Sequence, residues 1–409
     1  MFNTLDWLII GFYCVGIITL ATYVSRKKSG TTRSAEDYFL AGRSLPWWAI
    51  GASLIAANIS AEQIIGMSGQ GWVVGMAIAV WELTAAIALI VMAKYFLPIF
   101  LEKKIYTMPQ FLEQRFDKRV SLVLSFFWLI VYIFINLTSV LWLGSLAINA
   151  LTGIDIFHAL MILAFFSLAY SLLGGLKAVA MTDVVQVVLL IFGGLAVSYI
   201  ALDKISDSAG IFEGIKILVT EMPEKFDMIL SKDNDSYSNL PGIWILLGLG
   251  VWIGHFFYWG FNQYITQRAL GAKSIQEAQK GVMFAAYLKL LMPIVIVLPG
   301  ICAAVLFPIL DKSDQAYPSM MSLLPNGLLG LTFAALIAAI VSSLASMSNS
   351  ISTIFTMDIY KHFKKNEVSD SFLIDIGRAA VIISILIATI MAKPLLGSFE
   401  SIFQYIQNF

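Results

Sequence analysis

Residues 45–71, LPWWAIGASLIAANISAEQIIGMSGQG, constrain this chain more than any other stretch. The run is long and apolar enough to cross a bilayer, whose hydrocarbon core takes about 20 helical residues. Its middle, Asn58-Ile59-Ser60-Ala61-Glu62-Gln63, nevertheless carries four polar side chains in six positions. Such groups are costly at that depth, and where they occur they mark substrate or ion pathways. Among Gly51, Gly66, Gly69 and Gly71 the stretch reads as a discontinuous helix, whose unwound carbonyls face a cavity and coordinate a cation. The plainer alternative is an unbroken span packing small residues against its neighbours. Glu62 and Gln63, side by side, are hard to bury for that purpose alone.

The rest of the chain fits a membrane setting. It is 409 residues long, 59% apolar and 13% charged, with mean hydropathy +0.83, a composition no ordinary soluble domain has. The lipid bilayer is therefore its medium. A formal net charge of zero gives no bulk attraction for nucleic acid. Cys14 and Cys302 lie inside apolar runs and imply no disulfide framework. The first run follows Asn3 and Asp6 and has no basic segment before it, so it reads as a retained span and not as a cleaved leader.

Apolar runs fall at 5–25, 45–71, 75–100, 121–151, 154–173, 178–201, 242–261, 282–307, 327–355 and 371–392, and another opens after Pro394. With the N-terminus placed outside, eighteen lysines and arginines fall in inward loops, Arg268 among them, and six in outward ones. That bias sets the expected orientation: N-terminus extracellular or periplasmic, basic loops cytoplasmic, in the inner (plasma) membrane of the cell. The segment 202–241, with more acids than bases, is then an external loop.

Setting the first span aside, the remainder divides into two groups of five spans. Five is odd, so the groups have opposite orientation. Each opens with a glycine-rich, polar-interrupted run, 45–71 and 242–264. Paired interrupted segments point to an inverted-repeat transporter with its site at mid-membrane. The expected architecture is all-α and polytopic. An extra N-terminal helix and linker (1–44) precede a first repeat (45–201), the external loop (202–241) and a second repeat (242–409). Only a short stretch follows Pro394, so the last core helix is expected to be truncated.

Several polar groups inside these runs carry candidate chemistry. Ala339, Ser342 and Ser343 share one helical face. Two hydroxyls and freed carbonyls make a neutral, hard-oxygen set suited to sodium. Equally, the serines could help helices approach or bond back to their own backbone. Asp183 reads as a second cation stop or a release relay, or alternatively as a cap of its helix start or a partner of Lys177. Glu82 and Lys289, isolated in apolar helices, are ligands for a polar substrate or partners of one another. The aromatic segment 252–264, with His255 in it, could stack a sugar ring while Gln63, Glu82, Lys289 and Gln407 meet its hydroxyls. It could also be an interfacial belt with a packed histidine. No metal-spaced His/Cys cluster, phosphate-binding loop or nucleophile–base spacing is present, so no enzyme is expected and no cofactor beyond a coupling sodium ion.

The motifs EDYFLAGRSLPWW (36–48), GASLIAANISAEQIIGMSG (51–69), YSLLGGLKAVAMTDVVQ (170–186), FYWGFNQYITQR (257–268), EAQKG (277–281), AAIVSSLASMSNS (338–350), FTMDIYK (355–361) and FQYIQ (403–407) are collinear with a known pattern. The chain resembles the solute:sodium symporter family, and within it the bacterial sodium/galactose type. The resemblance implies a LeuT-like five-plus-five core. It puts sodium on the carbonyls of Ala56, Ile59 and Ala339 and the hydroxyls of Ser342 and Ser343, with Asp183 on the exit route. Sugar contacts would be Gln63, Glu82, Lys289 and Gln407. Tyr258 would be the inner gate beside Trp259 and Asn58, and Met67, Trp81 and Phe403 an outer lid. Two positions depart from the pattern: His255 stands where an asparagine contacts the sugar, and Ala85 where a serine follows the glutamate.

The resulting expectation is a symporter that moves sodium inward with a hexose, galactose or glucose. Its rivals are a symporter of the same family for a sialic acid, an amino acid or a carboxylate, and, from another class, a channel or a non-transporting sensor. Nothing in the sequence specifies an oligomeric state.

Overall fold

In the computed structural model, residues 2–26, 34–238, 240, 242–364 and 368–397 are described. Phe403, Gln407 and the run expected after Pro394 lie outside them. The chain is helical throughout, with no strand among the described residues. Helix α1 (Thr4–Ser25) is the extra N-terminal span. The first interrupted run becomes α2 (Trp47–Asn58), a π-turn over Glu62–Met67 and α3 (Ser68–Val74). After a corner at Gly75 comes α4 (Val80–Val91), which continues to Glu102. Then follow α5 (Lys118–Thr152), α6 (Ile156–Leu172) and α7 (Gly175–Ile205).

The second interrupted run is split as well. A single turn, Ile243–Leu247, ends at an extended Gly248. Helix α8 (Leu249–Phe261) then runs to an extended Asn262, beyond which lies α9 (Gln263–Leu270). The remaining helices are α10 (Ile275–Leu306), α11 (Leu328–Phe363) and α12 (Asp370–Leu396). Among the described residues seven helices are long and apolar enough to span a membrane unaided. Of the other runs, 45–71 is interrupted after Asn58 and 242–261 is bent at Gly248, as polar groups at bilayer depth lead one to expect, whereas α6 is unbroken and merely short.

The break after Asn58 has a local cause, and it is not glycine. Ile59 leaves the helix with φ −85° and ψ 92°. The Ser60 N–H, which would have closed the next turn on Ala56, bonds to the Asn58 carbonyl at 3.2 Å. The Ser60 hydroxyl then accepts from the Glu62 N–H at 3.1 Å, capping the restarted helix in the manner of an N-cap serine.

The glycines named from sequence lie inside helical turns, and Gly51 allows a close packing approach. A β-carbon at Gly51 would stand 2.6 Å from the Gly281 carbonyl oxygen, and one at Gly281 2.7 Å from Ile50 Cβ. Helices α2 and α10 therefore touch backbone to backbone. At Gly175, φ is +63°, and this sharp corner joins α6 to α7.

Two further expectations need correction. Arg268, assigned from sequence to an inward loop, is a fully buried residue of α9. Helix α12 runs through Pro394 instead of stopping before it. The proline sits in the last turn, where Gly397 N still closes on the Lys393 carbonyl at 3.0 Å, so only one helical donor is lost.

Helix α1 is anchored at its start. Asn3 and Asp6 cap it reciprocally, and Asp6 Oδ1 accepts from the N–H groups of Gly327 and Gly330 at 2.7 and 2.8 Å. A carboxylate is thereby set on the first turn of α11, where orphan donors and the helix dipole both favour it. This anchors the first turn of the helix that, several turns further along, carries Ser342 and Ser343.

Candidate functional site

Helix α11 passes beside the break in α2. The Ser343 hydroxyl donates toward the carbonyls of Ala57 at 3.2 Å and Ala56 at 3.5 Å. The Ala56 carbonyl is the one whose helical donor was diverted at Ser60, so it has a lone pair to offer. Ala57 was not among the residues singled out from sequence, because only the geometry of the break brings its carbonyl to α11. Ile59 lies at the break itself. Ala339 is different: α11 is continuous through it, so its carbonyl belongs to an intact helical turn and was not freed.

The Ser342 hydroxyl, one position along, donates to Asp183 Oδ1 at 2.5 Å. Asp183 Oδ2 accepts from Ser53 at 2.5 Å and lies 3.8 Å from Arg268 Nη2. The reading of Asp183 as a cap or a partner of Lys177 does not hold. Asp183 is fully buried well inside α7, whereas Lys177 is exposed.

Arg268 completes this knot, and sequence reasoning missed it. Its Nε donates to the Ser53 carbonyl at 3.2 Å, and its terminal nitrogens reach the Tyr264 carbonyl and Ser346 Oγ. One guanidinium thus joins α2, α7, α9 and α11. A planar, five-donor group suits such multiple bonding better than an ammonium.

Beside this knot lies a cavity of about 330 Å³. Of the sequence candidates it brings together Asn58, Gln63, Met67, Trp81, Glu82, His255, Tyr258, Trp259 and Lys289, with Ala85 on the same wall. Lys289 Nζ donates to Glu82 Oε2 at 2.6 Å and sits 5.4 Å from the centre of the Trp259 ring. The two readings of Glu82 and Lys289 therefore merge: they are partners, and they face the cavity together.

Tyr258 is held by the Asn58 amide, which donates to its hydroxyl at 2.9 Å, and by the hydroxyl of Tyr264. Its ring meets Trp259 edge-on at 5.1 Å. The tie crosses from the broken end of α2 to the broken end of α8.

His255 is buried and not part of an interfacial belt. Its Nε2 lies 2.7 Å from Thr84 Oγ1, and Thr84 already donates its single hydroxyl proton to the Val80 carbonyl at 2.6 Å. The network therefore assigns the ring proton to Nε2 and leaves Nδ1 as an acceptor. Thr84, two positions from Glu82, was not singled out from sequence because its partner lies on another helix.

Glu62 also lines the cavity and accepts from Ser139 on α5 at 2.8 Å. Among the described residues no group of three or more His, Cys, Asp or Glu side chains could hold a metal ion. The oxygen set at Ser343 is neutral and hard, which fits an alkali cation by its chemistry.

Comparison with known proteins places this geometry in a family. The sodium:solute symporter family model matches residues 38–408. The chain belongs to the sodium:solute symporter family. Among its relatives in the family, the sodium/glucose cotransporter of Vibrio parahaemolyticus is 50% identical over 99% of this chain and 77% of its own length. The sodium/myo-inositol cotransporter 2 of Mus musculus is 33% identical over 98% of this chain and 63% of its own length. An uncharacterised symporter of Escherichia coli K12 is 36% identical over 94% of this chain and 68% of its own.

Among solved structures, a Na+-coupled sialic acid symporter in a substrate-bound outward-open state superposes with a TM-score of 0.86. It is 23% identical over 97% of this chain and 84% of that one. A transporter of the nucleobase-cation-symport-1 family gives a TM-score of 0.57 at 17% identity, over 94% of this chain and 77% of that one. These two likenesses concern the fold alone: a LeuT-like helical symporter architecture.

Proposed function

We propose that this family member is a sodium-coupled symporter that imports a neutral hexose, galactose or glucose, by alternating access. The observation that carries the reading is the meeting of the broken α2 with Ser343, directly beside a cavity that presents Gln63, Glu82, Lys289 and His255. The first supplies oxygens for an ion, and the second supplies paired donors and acceptors for hydroxyl groups. A kinship of 50% with a protein named a sodium/glucose cotransporter supports the same reading.

In the proposed arrangement sodium sits among the carbonyls of Ala56, Ile59 and Ala339 and the hydroxyls of Ser342 and Ser343. Asp183 orients the Ser342 hydroxyl by accepting its hydrogen bond, which leaves the oxygen lone pairs to the ion. Gln63, Glu82, Lys289 and His255 contact the sugar. Tyr258 closes the pocket on one side, and Met67 and Trp81 cover it on the other. Ion binding would hold the end of α2 against α11. Asn58, at that same end, holds Tyr258. Occupancy at each site then strengthens the other, and the coupling is reciprocal. In this reading residues 45–201 and 242–409 are the two inverted repeats, the N-terminus faces outward, and the membrane is the inner (plasma) membrane.

Charge separates this reading from the rival solutes of the same family. Lys289 is the one cation among the described residues lining the cavity, and Glu82 already neutralises it. Glu62 adds a second carboxyl group. A sialate or other net anion would bring another carboxylate to a wall with no spare positive charge, whereas a neutral polyol meets no such cost. Uptake of labelled galactose into proteoliposomes, with and without a sodium gradient, tests the coupling. Uptake indifferent to sodium would refute it, and competition by sialate or proline but not by sugars would refute the substrate class.

A further inference from the structure

The two nitrogens of His255 are not equivalent, and the difference is set from another helix. Nε2 lies 2.7 Å from the Thr84 hydroxyl on α4. That hydroxyl has one proton and gives it to the Val80 carbonyl of its own helix at 2.6 Å, so toward the imidazole it can only accept. Thr84 is 2% exposed, and any effect it has on a solute passes through His255.

The ring has little freedom to turn over and exchange its nitrogens. Trp81 meets it edge-on at 5.7 Å and Trp252 at 6.5 Å. The Trp252 indole N–H is in turn fixed on the Leu246 carbonyl at 2.9 Å. A half-turn of the imidazole would also put a carbon against the Thr84 hydroxyl and lose the bond.

A second proton on the ring has nothing to balance it. His255 lies one turn from Trp259 on α8, and the Lys289 ammonium sits 5.4 Å from the centre of the Trp259 ring. Glu82 is already bonded to Lys289, and Glu62 to Ser139 on α5. An imidazolium on this wall would be a buried cation without a carboxylate of its own. The imidazole is therefore neutral, and Nδ1 carries a lone pair and no proton. Nδ1 has no hydrogen-bond partner among the described residues and is not one of their fully enclosed unpartnered atoms, and its residue lines the cavity. Ala85, on the same wall, adds no polar side-chain atom.

We propose that Thr84 is a positioning residue that sets the hydrogen-bond polarity of the cavity at His255. Nδ1 accepts and cannot donate, so the solute hydroxyl that meets it must be the donor. This deepens the sugar-symport reading and rests on it.

Competition of galactose analogues against radiolabelled galactose, on the purified protein in saturating sodium, tests it. Fluorine in place of a hydroxyl keeps a weak acceptor and loses the donor, whereas a deoxy position loses both. Each ring hydroxyl is replaced both ways. At the position facing His255, fluorine should cost as much as deoxygenation, about tenfold in affinity. Thr84→Val removes the acceptor, which lets the ring proton move to Nδ1. The fluorine penalty at that position should then shrink to about twofold, while deoxygenation still costs the full amount. Galactose itself should bind within about threefold of the wild type, because its hydroxyl can turn to accept. His255→Asn, whose amide can donate, should shrink the same penalty, and Thr84→Ser should keep it at the wild-type value. Positions that meet Glu82 or Gln63 should respond to none of these changes.

Thr84→Ala makes the same removal with a smaller side chain. The assignment is overturned if the wild type tolerates fluorine at every position, or if the penalty is unmoved in both Thr84→Val and Thr84→Ala. Either result, with galactose still bound, leaves the functional reading standing. A wild-type protein that binds no galactose at all would sink the functional reading and take this assignment with it.

Discussion

The ammonium of Lys289 lies 2.6 Å from the Glu82 carboxylate, and the two residues are 1% and 2% exposed. A buried ion pair of this kind is weak evidence for stability, because desolvation offsets much of the attraction. Removing one partner is nevertheless strongly destabilising, by about 3–5 kcal/mol. Lys289→Met and Glu82→Gln should therefore each lower the melting temperature of the detergent-solubilised protein. The double substitution should recover most of that loss, since neither charge is left alone. It should not recover galactose binding, which needs the polar pair itself. A double variant that binds galactose like the wild type would reduce the pair to a structural role.

Ser343 and Gln63 separate ion binding from sugar binding. Ser343 meets the Ala56 and Ala57 carbonyls, whereas Gln63 lines the cavity with an unpartnered Oε1 among the described residues. Ser343→Ala should raise the sodium concentration needed for half-maximal galactose binding about tenfold, a loss of about 1.4 kcal/mol. At saturating sodium its sugar affinity should stay close to that of the wild type. Gln63→Ala should lose sugar affinity at every sodium concentration. Identical sodium dependence in the two variants would remove Ser343 from the ion site.

Arg268 and Asp183 face each other with no exposure at all. Asp183→Ala strands a guanidinium among α2, α7, α9 and α11, and the cost should again be about 3–5 kcal/mol. Arg268→Lys keeps the charge but cannot reach Ser53, Tyr264 and Ser346 at once. It should fold and yet couple poorly: near-normal galactose affinity in saturating sodium, with a weakened dependence of that affinity on sodium. Measuring galactose affinity across a sodium series checks this. An unchanged sodium series would leave Arg268 a purely structural residue.

What the sequence made legible was the cost of polar groups in an apolar run. Asn58 to Gln63 announced the break in α2 because no bilayer-spanning helix carries that cluster without a use, and the break is where it was expected. Its agent was not legible. The glycines around it drew attention, yet Ser60 makes the turn and Gly51 serves a helix contact. Arg268 was misread for a related reason. Loop-charge counting treats every arginine outside an apolar run as solvated, and α9 is too short and too polar to register as buried. Thr84 carries no local signal, since it matters through a partner on a distant stretch, His255. Pattern along a chain reports burial. It does not report which buried atoms meet.

Asp6 offers a test of the extra helix away from both sites. Its carboxylate accepts two N–H bonds from the start of α11 and one from Asn3 at 3.0 Å within its own cap. Close packing leaves no alternative partner: a β-carbon at Gly330 would stand 2.6 Å from Asp6 Cα. Asp6→Ala keeps the Asn3 side-chain cap on the backbone N–H of residue 6 but removes the reciprocal half of the capping box and the anion on the first turn of α11, together about 1–2 kcal/mol. The melting temperature should fall by a few degrees. Asp6→Asn keeps an acceptor and loses the charge, so it should lie between the two. Sodium and galactose affinities should be unchanged, because Ser343 lies several turns further along α11 and the lower turns are held by the Arg268 knot. A loss of sodium affinity in Asp6→Asn would mean instead that α1 sets the position of Ser342 and Ser343, and that the extra helix belongs to the coupling machinery.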